Sequence, residues 1–276
     1  RDVILVNDDT PGLTWSNARS GRYADQQVFD SPVGPVSFDR GWASIDATLR
    51  GKPFRFVNTH LETEDFPLVQ QAQAAEFLAG PAKGGTVIAV GDFNSAADGS
   101  TTTSYAQLTA PGRFRDAWDE TQLGSGFSCC QASNTPPLAP GALNNPVSTL
   151  QSRIDLILSR GGVRSDGGAA ELVGDAPFQG VPPFWPSDHA GVVADTARRG
   201  PKPGDERSHH VEFAAGAERV HAPSADPPYI DGPSSPIAPP EPSVVTEAAM
   251  RPTNARSRNG YSGSWNARRY SSDVAD

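Results

Sequence analysis

The chain has 276 residues with 23 Lys and Arg against 32 Asp and Glu, and 37% of them are hydrophobic. It has no apolar run of about 20 residues, which excludes a membrane-spanning helix. Residues 1–196 hold 13 Lys and Arg against 22 Asp and Glu; this acidic balance excludes a protein that grips nucleic acid through a basic surface alone, and it suits one that concentrates divalent cations.

The predicted elements lie in the first 197 residues. In chain order, strands are predicted over residues 3–6, 42–49, 54–58, 86–90, 153–158 and 190–194. Residues 42–49 alternate as a half-buried strand does, 54–58 follow a Gly-Lys turn as its hairpin partner, and 86–90 form the unbroken apolar run of a central strand. Many short strands with few helices predict an α+β domain with two packed sheets.

One helix is predicted over residues 67–78. Its expected buried face consists of Leu68, Ala72, Ala75 and Leu78. A Gly-Pro pair at residues 80–81 ends the pattern.

The composition changes near Arg198. Eleven of the 26 prolines fall in residues 201–252, and the chain end has no apolar period. Such a segment buries too little apolar surface to offset the entropy of ordering it. We therefore predict a folded domain over 1–197 and a Pro-rich disordered tail over 198–276, a linker to another domain being the alternative.

Polar residues collect at the ends of the apolar strands. They are Asn58, His60, Asp92, Asn94, Asp155, Asp188 and His189. An Asp after a strand often caps a turn, and a single His is often structural. Asp155 is different because a carboxylate inside an apolar strand costs desolvation energy unless it is paired, and an imidazole is the natural partner. The joint occurrence of these clusters points to a site.

In this order, and within the strings NTHLE, GDFNS, RIDLIL and PSDHAGVVA, the clusters resemble the endonuclease/exonuclease/phosphatase superfamily. That superfamily includes deoxyribonucleases, abasic-site endonucleases, bacterial sphingomyelinases and inositol-phosphate phosphatases. The longer strings around these motifs look like a bacterial subgroup of the superfamily: RDVILV, RGWASIDATLRGKPFRFVNTHLE, VIAVGDFNS, NNPVSTLQSRIDLIL and WPSDHAGVVA. The resemblance implies two stacked mixed β-sheets flanked by helices, a four-layer αββα sandwich, with the site at the sheet edge.

The resemblance also implies roles for individual residues of the motifs. His189 matches the catalytic base, or a contact to the transition-state phosphate, and Asp155 matches the carboxylate that orients it. Asp188 matches a carboxylate near a divalent metal, Mg²⁺ or Mn²⁺. Zinc is not expected, because the cysteines and histidines have no structural-zinc spacing.

Further roles follow for the other two motifs. Asp92 and Asn94 match the pair that positions the nucleophilic water and a phosphate oxygen, or that holds a second metal. His60 matches a general acid or phosphate donor, and Asn58 a residue that supports the phosphate.

Two features outside these motifs have alternative interpretations. Trp185 is either a platform for stacking substrate beside His189 or a core residue. Cys129 and Cys130 are the only cysteines, and because they are adjacent they exclude a disulfide framework. They are either two small loop residues, the interpretation that the sequence favours, or a vicinal disulfide that acts as a redox switch.

The sequence therefore predicts a metal-dependent hydrolase of phosphoric esters, a phosphodiesterase acting on DNA or RNA, a phospholipid headgroup or a small phosphate ester. An exposed aromatic hairpin would favour a membrane substrate. We expect a monomer, and an extracellular or envelope-associated location.

One departure from the family pattern favours an alternative. Superfamily members begin with a strand carrying an Asn and a strand ending in Gln-Glu, whose Glu is a principal metal ligand, and no such segment precedes Arg1. We expect the N-terminal strands to be missing. The alternative function is a catalytically inactive truncated fragment with a Pro-rich interaction tail.

Overall fold

The computed structural model describes residues 2–7, 9–121, 124–131, 142–164, 170–180, 183–198, 210–215 and 246–252. In chain order the strands are β1 (Asp2–Val6), β2 (Leu13–Arg22), β3 (Val28–Phe29), β4 (Val36–Ser37), β5 (Gly41–Leu49), β6 (Lys52–His60), β7 (Val87–Asp92), β8 (Arg115–Asp116), β9 (Asp155–Arg160), β10 (Val163–Arg164), β11 (Ala170–Val173), β12 (Gly191–Arg198), β13 (His210–Ala215) and β14 (Thr246–Pro252). The helices are α1 (Pro67–Ala79), α2 (Ser104–Thr109) and α3 (Ala117–Thr121), with a 3₁₀ turn at Ala142–Asn144. None of these helices is long and apolar enough to cross a membrane.

The strands form two mixed sheets and a separate hairpin. The first sheet has the order β1-β14-β13-β12-β10, and β11 also pairs with β12. Its β1 and β14 are parallel, and its other pairs are antiparallel. The second sheet has the order β2-β5-β6-β7-β9-β8, with β6 and β7 as its parallel pair. Strands β3 and β4 form the hairpin. The predicted α+β class with two mixed sheets is confirmed.

The two sheets pack face to face. Phe56, Val90 and Ile157 of the second sheet share one buried cluster with Val192 and Ala194 of the first. Because side chains alternate across a strand, the neighbouring residues of the second sheet point to its other face. There Val57, Ala89 and Leu156 pack against Ala74 and Phe77 of α1. The described residues thus account for three of the four predicted layers.

The buried face of α1 differs from the predicted one. Its buried residues are Gln70, Gln73, Ala74 and Phe77. Leu68 is 80% exposed. The two glutamines are inside because they satisfy loop backbone groups at the sheet edge: Gln70 Nε2 donates to the carbonyls of Glu62 and Asn94, each at 2.7 Å, and Gln73 Oε1 accepts from the Glu62 N–H at 2.7 Å. Hydropathy alone assigns such residues to the surface.

The predicted strands of the second sheet are confirmed within a few residues at their ends. The predicted strand 86–90 is β7, all of whose residues are buried, and 42–49 with 54–58 is the antiparallel hairpin of β5 and β6. The first predicted strand is β1, but it is only half-buried and Leu5 is 43% exposed. Strand β2 was not predicted because it is an exposed edge strand without apolar alternation.

Two segments of the predicted tail are strands. Strands β13 and β14 lie between β12 and β1 in the first sheet. The pattern that supports β13 is short: Val211 and Phe213 alternate with polar neighbours inside a Pro-rich region. The rest of residues 199–276 lies outside the described residues, so a tail over them, and a domain boundary at residue 197, stay predictions.

Candidate active site

Three of the predicted site residues lie in one row at an edge of the second sheet. His60 ends β6 and is paired in register with Asp92 at the end of β7. Asp92 is in turn paired with Asp155, the first residue of β9. Parallel strands bring their carboxyl ends to the same edge, and an antiparallel neighbour begins there. The sheet register therefore brings together residues that are far apart in the chain.

His189 reaches this row from the segment that directly precedes β12 of the first sheet. Its Nδ1 lies 2.8 Å from Oδ2 of Asp155, a carboxylate whose residue is only 2% exposed. The carboxylate accepts a hydrogen bond from the Nδ1–H, which leaves Nε2 as the ring atom that can exchange a proton. Burial alone would lower the pKa of His189, but the charge and hydrogen bond of Asp155, helped by Asp92 and Asp188, hold it well above its usual value.

Asp92 completes a cluster of acidic and imidazole groups. One ligand atom each from Asp92, Asp155 and His189 lies within 4.8 Å of the others. Burial, and then the negative charge of Asp155, raises the pKa of Asp92 to about 7. Two buried carboxylates this close repel each other unless a proton or a cation lies between them. The pair therefore fits a divalent cation that prefers hard oxygen ligands, and Asp92 and Asp155 are the residues that would hold it.

Asp188, a predicted metal ligand, is not a member of this cluster of described residues. Its Oδ1 lies 3.3 Å from Ser187 Oγ, and its carbonyl accepts the backbone N–H groups of Cys130 and Gln131 at 3.1 and 2.9 Å. Asp188 contributes its negative charge to the field at His189. Its predicted role as a metal ligand stays a prediction.

Arg40 is a site residue that the sequence did not reveal. It directly precedes Gly41, which pairs in register with His60. Its Nη1 donates to His60 Nε2 at 2.7 Å, and its Nη2 to Glu62 Oε1 at 3.3 Å. The Arg40 side chain is 17% exposed. No motif contains Arg40, and only the strand register could have placed it here.

The contact with Arg40 fixes the protonation of His60. Arginine can only donate, so Nε2 of His60 is an acceptor and the ring proton is on Nδ1. Burial and the positive charge of Arg40 both lower the pKa of His60 well below its usual value. A neutral ring that accepts at Nε2 does not form an ion pair with Asp92, although the two groups are 3.3 Å apart. Of the two roles that the resemblance implied, this arrangement fits a phosphate contact better than a general acid.

Asn58 and Trp185 are buried and hold neighbouring segments of the backbone. Asn58 is fully buried, and its Nδ2 donates to the Val3 carbonyl at 2.9 Å, which ties β6 to β1. Trp185 is 1% exposed, and its indole N–H donates to the Asn145 carbonyl at 2.6 Å. Of the two alternatives for Trp185 its burial favours the core residue, and the predicted contact of Asn58 to substrate stays a prediction.

Asn94 shapes the turn that follows Asp92. It has a positive φ of 47°, and its N–H donates to Asp92 Oδ1 at 2.8 Å. Its side-chain Nδ2 donates to the Leu61 carbonyl at 2.9 Å. Asn94 thus orients the Asp92 carboxylate within the site.

The loop around Cys129 and Cys130 connects the two segments that carry Asp155 and His189. Ser128 Oγ accepts the Asp155 N–H at 3.1 Å, and the Ser128 carbonyl accepts the Ala190 N–H at 2.7 Å. The two cysteines form a vicinal disulfide, and Cys130 has a positive φ of 89°. The sequence favoured two unlinked loop residues; the structure has the other alternative.

Reduction of this disulfide is expected to lower the melting temperature by a few degrees. Closing so short a loop contributes only about 1 kcal/mol in the chain-entropy description. Thermal unfolding with and without dithiothreitol measures the effect, and the Cys129→Ser/Cys130→Ser variant, which should not respond to the reductant, is the control. Two free thiols in the untreated protein would contradict the bond.

The site geometry agrees with a family assignment by sequence. The profile of the Endonuclease/Exonuclease/phosphatase family matches residues 16–189. The chain belongs to this family. Members of the endonuclease/exonuclease/phosphatase family hydrolyse phosphoric esters. A search of curated proteins gave no significant match.

Several solved structures are similar to this endonuclease/exonuclease/phosphatase chain. D. rerio TDP2 complexed with single strand DNA product is 17% identical, with a TM-score of 0.47, over 67% of this chain and 68% of that chain. The Bacteroides vulgatus family protein is 18% identical, with a TM-score of 0.46, over 68% and 67%. TDP2 from C. elegans is 16% identical, with a TM-score of 0.42, and the match covers 67% of this chain but only 52% of that chain.

Proposed function

We propose that the protein is a divalent-metal-dependent phosphodiesterase in which His189 is the general base. The observation that carries the proposal is the 2.8 Å contact between His189 Nδ1 and Asp155, with Asp92 in the same cluster. A base held by a buried carboxylate, with a second carboxylate close enough for the two to hold a divalent cation, is the set of groups that phosphate-ester hydrolysis requires.

Asp155, His189 and Asp92 have different roles in the proposed hydrolysis. Asp155 keeps the Nδ1 proton of His189 in place, so Nε2 can take a proton from the attacking water. The imidazolium that results is stabilised by the same carboxylate. A divalent cation, when bound by Asp92 and Asp155, supplies positive charge that activates water and offsets charge on the phosphate.

Arg40 places a positive charge on the His60 side of the site. Its guanidinium is planar and always charged, a geometry suited to binding two phosphate oxygens. The contacts to His60 and Glu62 hold it in one orientation. We assign Arg40 and neutral His60 to binding of the phosphate group.

The test is hydrolysis of bis-p-nitrophenyl phosphate with Mg²⁺ or Mn²⁺. We expect metal-dependent turnover that a chelator abolishes, and a loss of about 100-fold or more in Asp92→Asn, because one metal ligand and one negative charge are removed. Asp98→Asn is the matched control, since Asp98 is an exposed turn residue and its variant should keep full activity. Turnover that is equal in the two variants would refute the assignment.

One observation favours a phospholipid diester as the substrate. The segment of β3 and β4 exposes a row of apolar side chains: Val28, Phe29, Val33, Val36 and Phe38. Val33 is 93% exposed, and Phe38 lies two residues before Arg40. The exposed apolar segment therefore lies directly before a residue of the site, where it can insert into a lipid interface. DNA or RNA remains the second candidate substrate.

Vesicles of phosphatidylcholine distinguish these substrates. Val33→Ser should lower hydrolysis of vesicle lipid but leave hydrolysis of the soluble diester unchanged. Val147→Ser, at a residue that is 67% exposed and outside the hairpin, should change neither. Nicking of plasmid DNA without vesicle hydrolysis would assign nucleic acid instead.

Two further expectations remain proposals. We propose that the protein acts as a monomer in an extracellular or envelope location; the disulfide of Cys129 and Cys130 supports an oxidising compartment. The alternative, an inactive fragment with a Pro-rich interaction tail, would be favoured by absence of turnover on all three substrates. The Pro-rich stretch lies outside the described residues.

A further inference from the structure

A cavity of about 820 Å³ lies at the edge of the second sheet opposite to the active site. Its lining includes Arg160, the last residue of β9, and Gly85, two residues before β7 begins. Val87 pairs with Arg160 at this edge, whereas Asp92 pairs with Asp155 at the other. Because β7 runs between the two edges, about 17 Å of strand separates them. The cavity is a separate site.

The cavity is lined by a concentration of positive charge. Its cationic residues are Lys83, Arg113, Arg115, Arg160 and Arg164, and no Asp or Glu of the described residues lines it. These five are among only 13 Lys and Arg in residues 1–196, which also hold 22 Asp and Glu. Arg115 is also paired with Glu120, at 3.4 Å between Nη1 and Oε1, but five cations around one concave surface of an otherwise acidic domain still create a local attraction for anions.

Two of the guanidinium groups are held in place before any ligand binds. Arg160 lies over the ring of Phe114, with 4.8 Å from its Cζ to the ring centroid, and its Nη2 donates to the Ala82 carbonyl. The Arg160 Nε is buried and has no hydrogen-bond partner among the described residues. Arg113 Nη1 donates to the Gln107 carbonyl at 2.6 Å. Groups fixed in this way lose little side-chain entropy when they bind a ligand.

The rim of the cavity is rich in glycine. It contains Gly84, Gly85, Gly112, Gly161 and Gly162. Gly161 and Gly162 have positive φ values of 79° and 86°, and a Cβ at Gly161 would lie 2.3 Å from the Gly85 carbonyl. Successive residues without side chains let backbone N–H groups approach a ligand closely, as in anion-binding loops.

We propose that this cavity binds a compound that carries two or more phosphate groups and is of nucleotide size. Its volume is that of a small-molecule site, and its cations come from three separate segments of the chain, at residues 83, 113–115 and 160–164. The proposal is independent of the proposed catalytic function, since no residue of the cavity belongs to the active site.

Tripolyphosphate binding, measured by isothermal titration calorimetry at low ionic strength, tests the site. Lys83→Gln and Arg113→Gln should each weaken binding about tenfold, since each removes one charged contact. Lys52→Gln is the matched control: it makes the same charge change at the same sheet edge but outside the cavity, and it should alter the dissociation constant less than twofold. Equal weakening in all three variants, or no binding by the unmodified protein, would overturn the proposal.

Two further arms identify the source of the phosphates and verify the location. A nucleoside triphosphate should displace tripolyphosphate, whereas a single-stranded oligonucleotide without terminal phosphates should not; displacement by the oligonucleotide would overturn the small-molecule assignment. His189→Ala should bind tripolyphosphate as the unmodified protein does. Loss of binding in that variant would place the anion in the active site and refute a separate cavity.

Discussion

Replacement of His189 by alanine is expected to lower kcat for phosphodiester hydrolysis by about 10³-fold, because general-base catalysis contributes about 10²–10⁴-fold. His189 is the one described histidine bonded to a buried carboxylate, through the 2.8 Å contact to Asp155. Its ring Nε2 has no substitute in the cluster. The melting temperature should stay nearly unchanged, which separates loss of chemistry from loss of fold. A variant that retains the unmodified kcat would refute the role of His189.

Asp155→Asn extends this prediction to the pH dependence. Asp155 is the principal group that raises the pKa of His189 against the effect of burial. Removing its charge lowers that pKa, so the unprotonated base is present at lower pH and the acid limb of the kcat profile moves to lower pH. The maximal rate should still fall, since the ring is no longer held in the productive tautomer.

A double variant gives the control for this pair. His189→Ala/Asp155→Asn should lose less activity than the two single losses combined, because the part of the Asp155 effect that acts through His189 is already absent from His189→Ala. Strictly additive losses would show that Asp155 does not act through His189.

Gly91→Ala is expected to lower the free energy of unfolding by about 4 kcal/mol or to prevent folding, which is among the largest effects of single substitutions. Gly91 has a φ of 138°, and a Cβ there would lie 1.9 Å from the Thr59 carbonyl oxygen on the neighbouring strand. The clash is with backbone, so it cannot be relieved by rotating a side chain. Chemical denaturation measures the loss.

Gly99→Ala is the matched control for the steric part of this effect. Gly99 also has a positive φ, 75°, but a Cβ there meets nothing within 4 Å. It should cost only about 1 kcal/mol, the ordinary cost of placing alanine in a left-handed conformation. Similar losses for both variants would mean that the close approach of β6 and β7 at Gly91 is not the cause.

The central strands could be predicted from sequence because their signals are local. The alternation in β5 and the unbroken apolar run of β7 each lie within one short window. Sheet register then brought His60, Asp92 and Asp155 to one edge. A short stretch of sequence does not contain the distant partner of a buried polar group. This explains most of the differences between the predicted and the observed structure.

The features that the sequence did not predict all depend on distant partners. Gln70 is inside because it bonds to loop carbonyls from two other segments, and Asn58 because it bonds to Val3. Arg40 belongs to the site only through the pairing of β5 with β6. Strand β13 needs β12 and β14 on either side to satisfy its backbone, and nothing in its Pro-rich surroundings indicates them.

The proposed catalytic pair is divided between the two sheets: Asp155 begins β9 of the second, and His189 precedes β12 of the first. The 2.8 Å contact between His189 and Asp155 therefore depends on the position of one sheet relative to the other. A relative slide of about 1 Å would break it without unfolding either sheet, enough to cost about 100-fold in rate. The proposed activity therefore depends on the core contacts between the sheets, such as those of Phe56 and Val192. A substitution there could abolish the activity of a protein that is still folded.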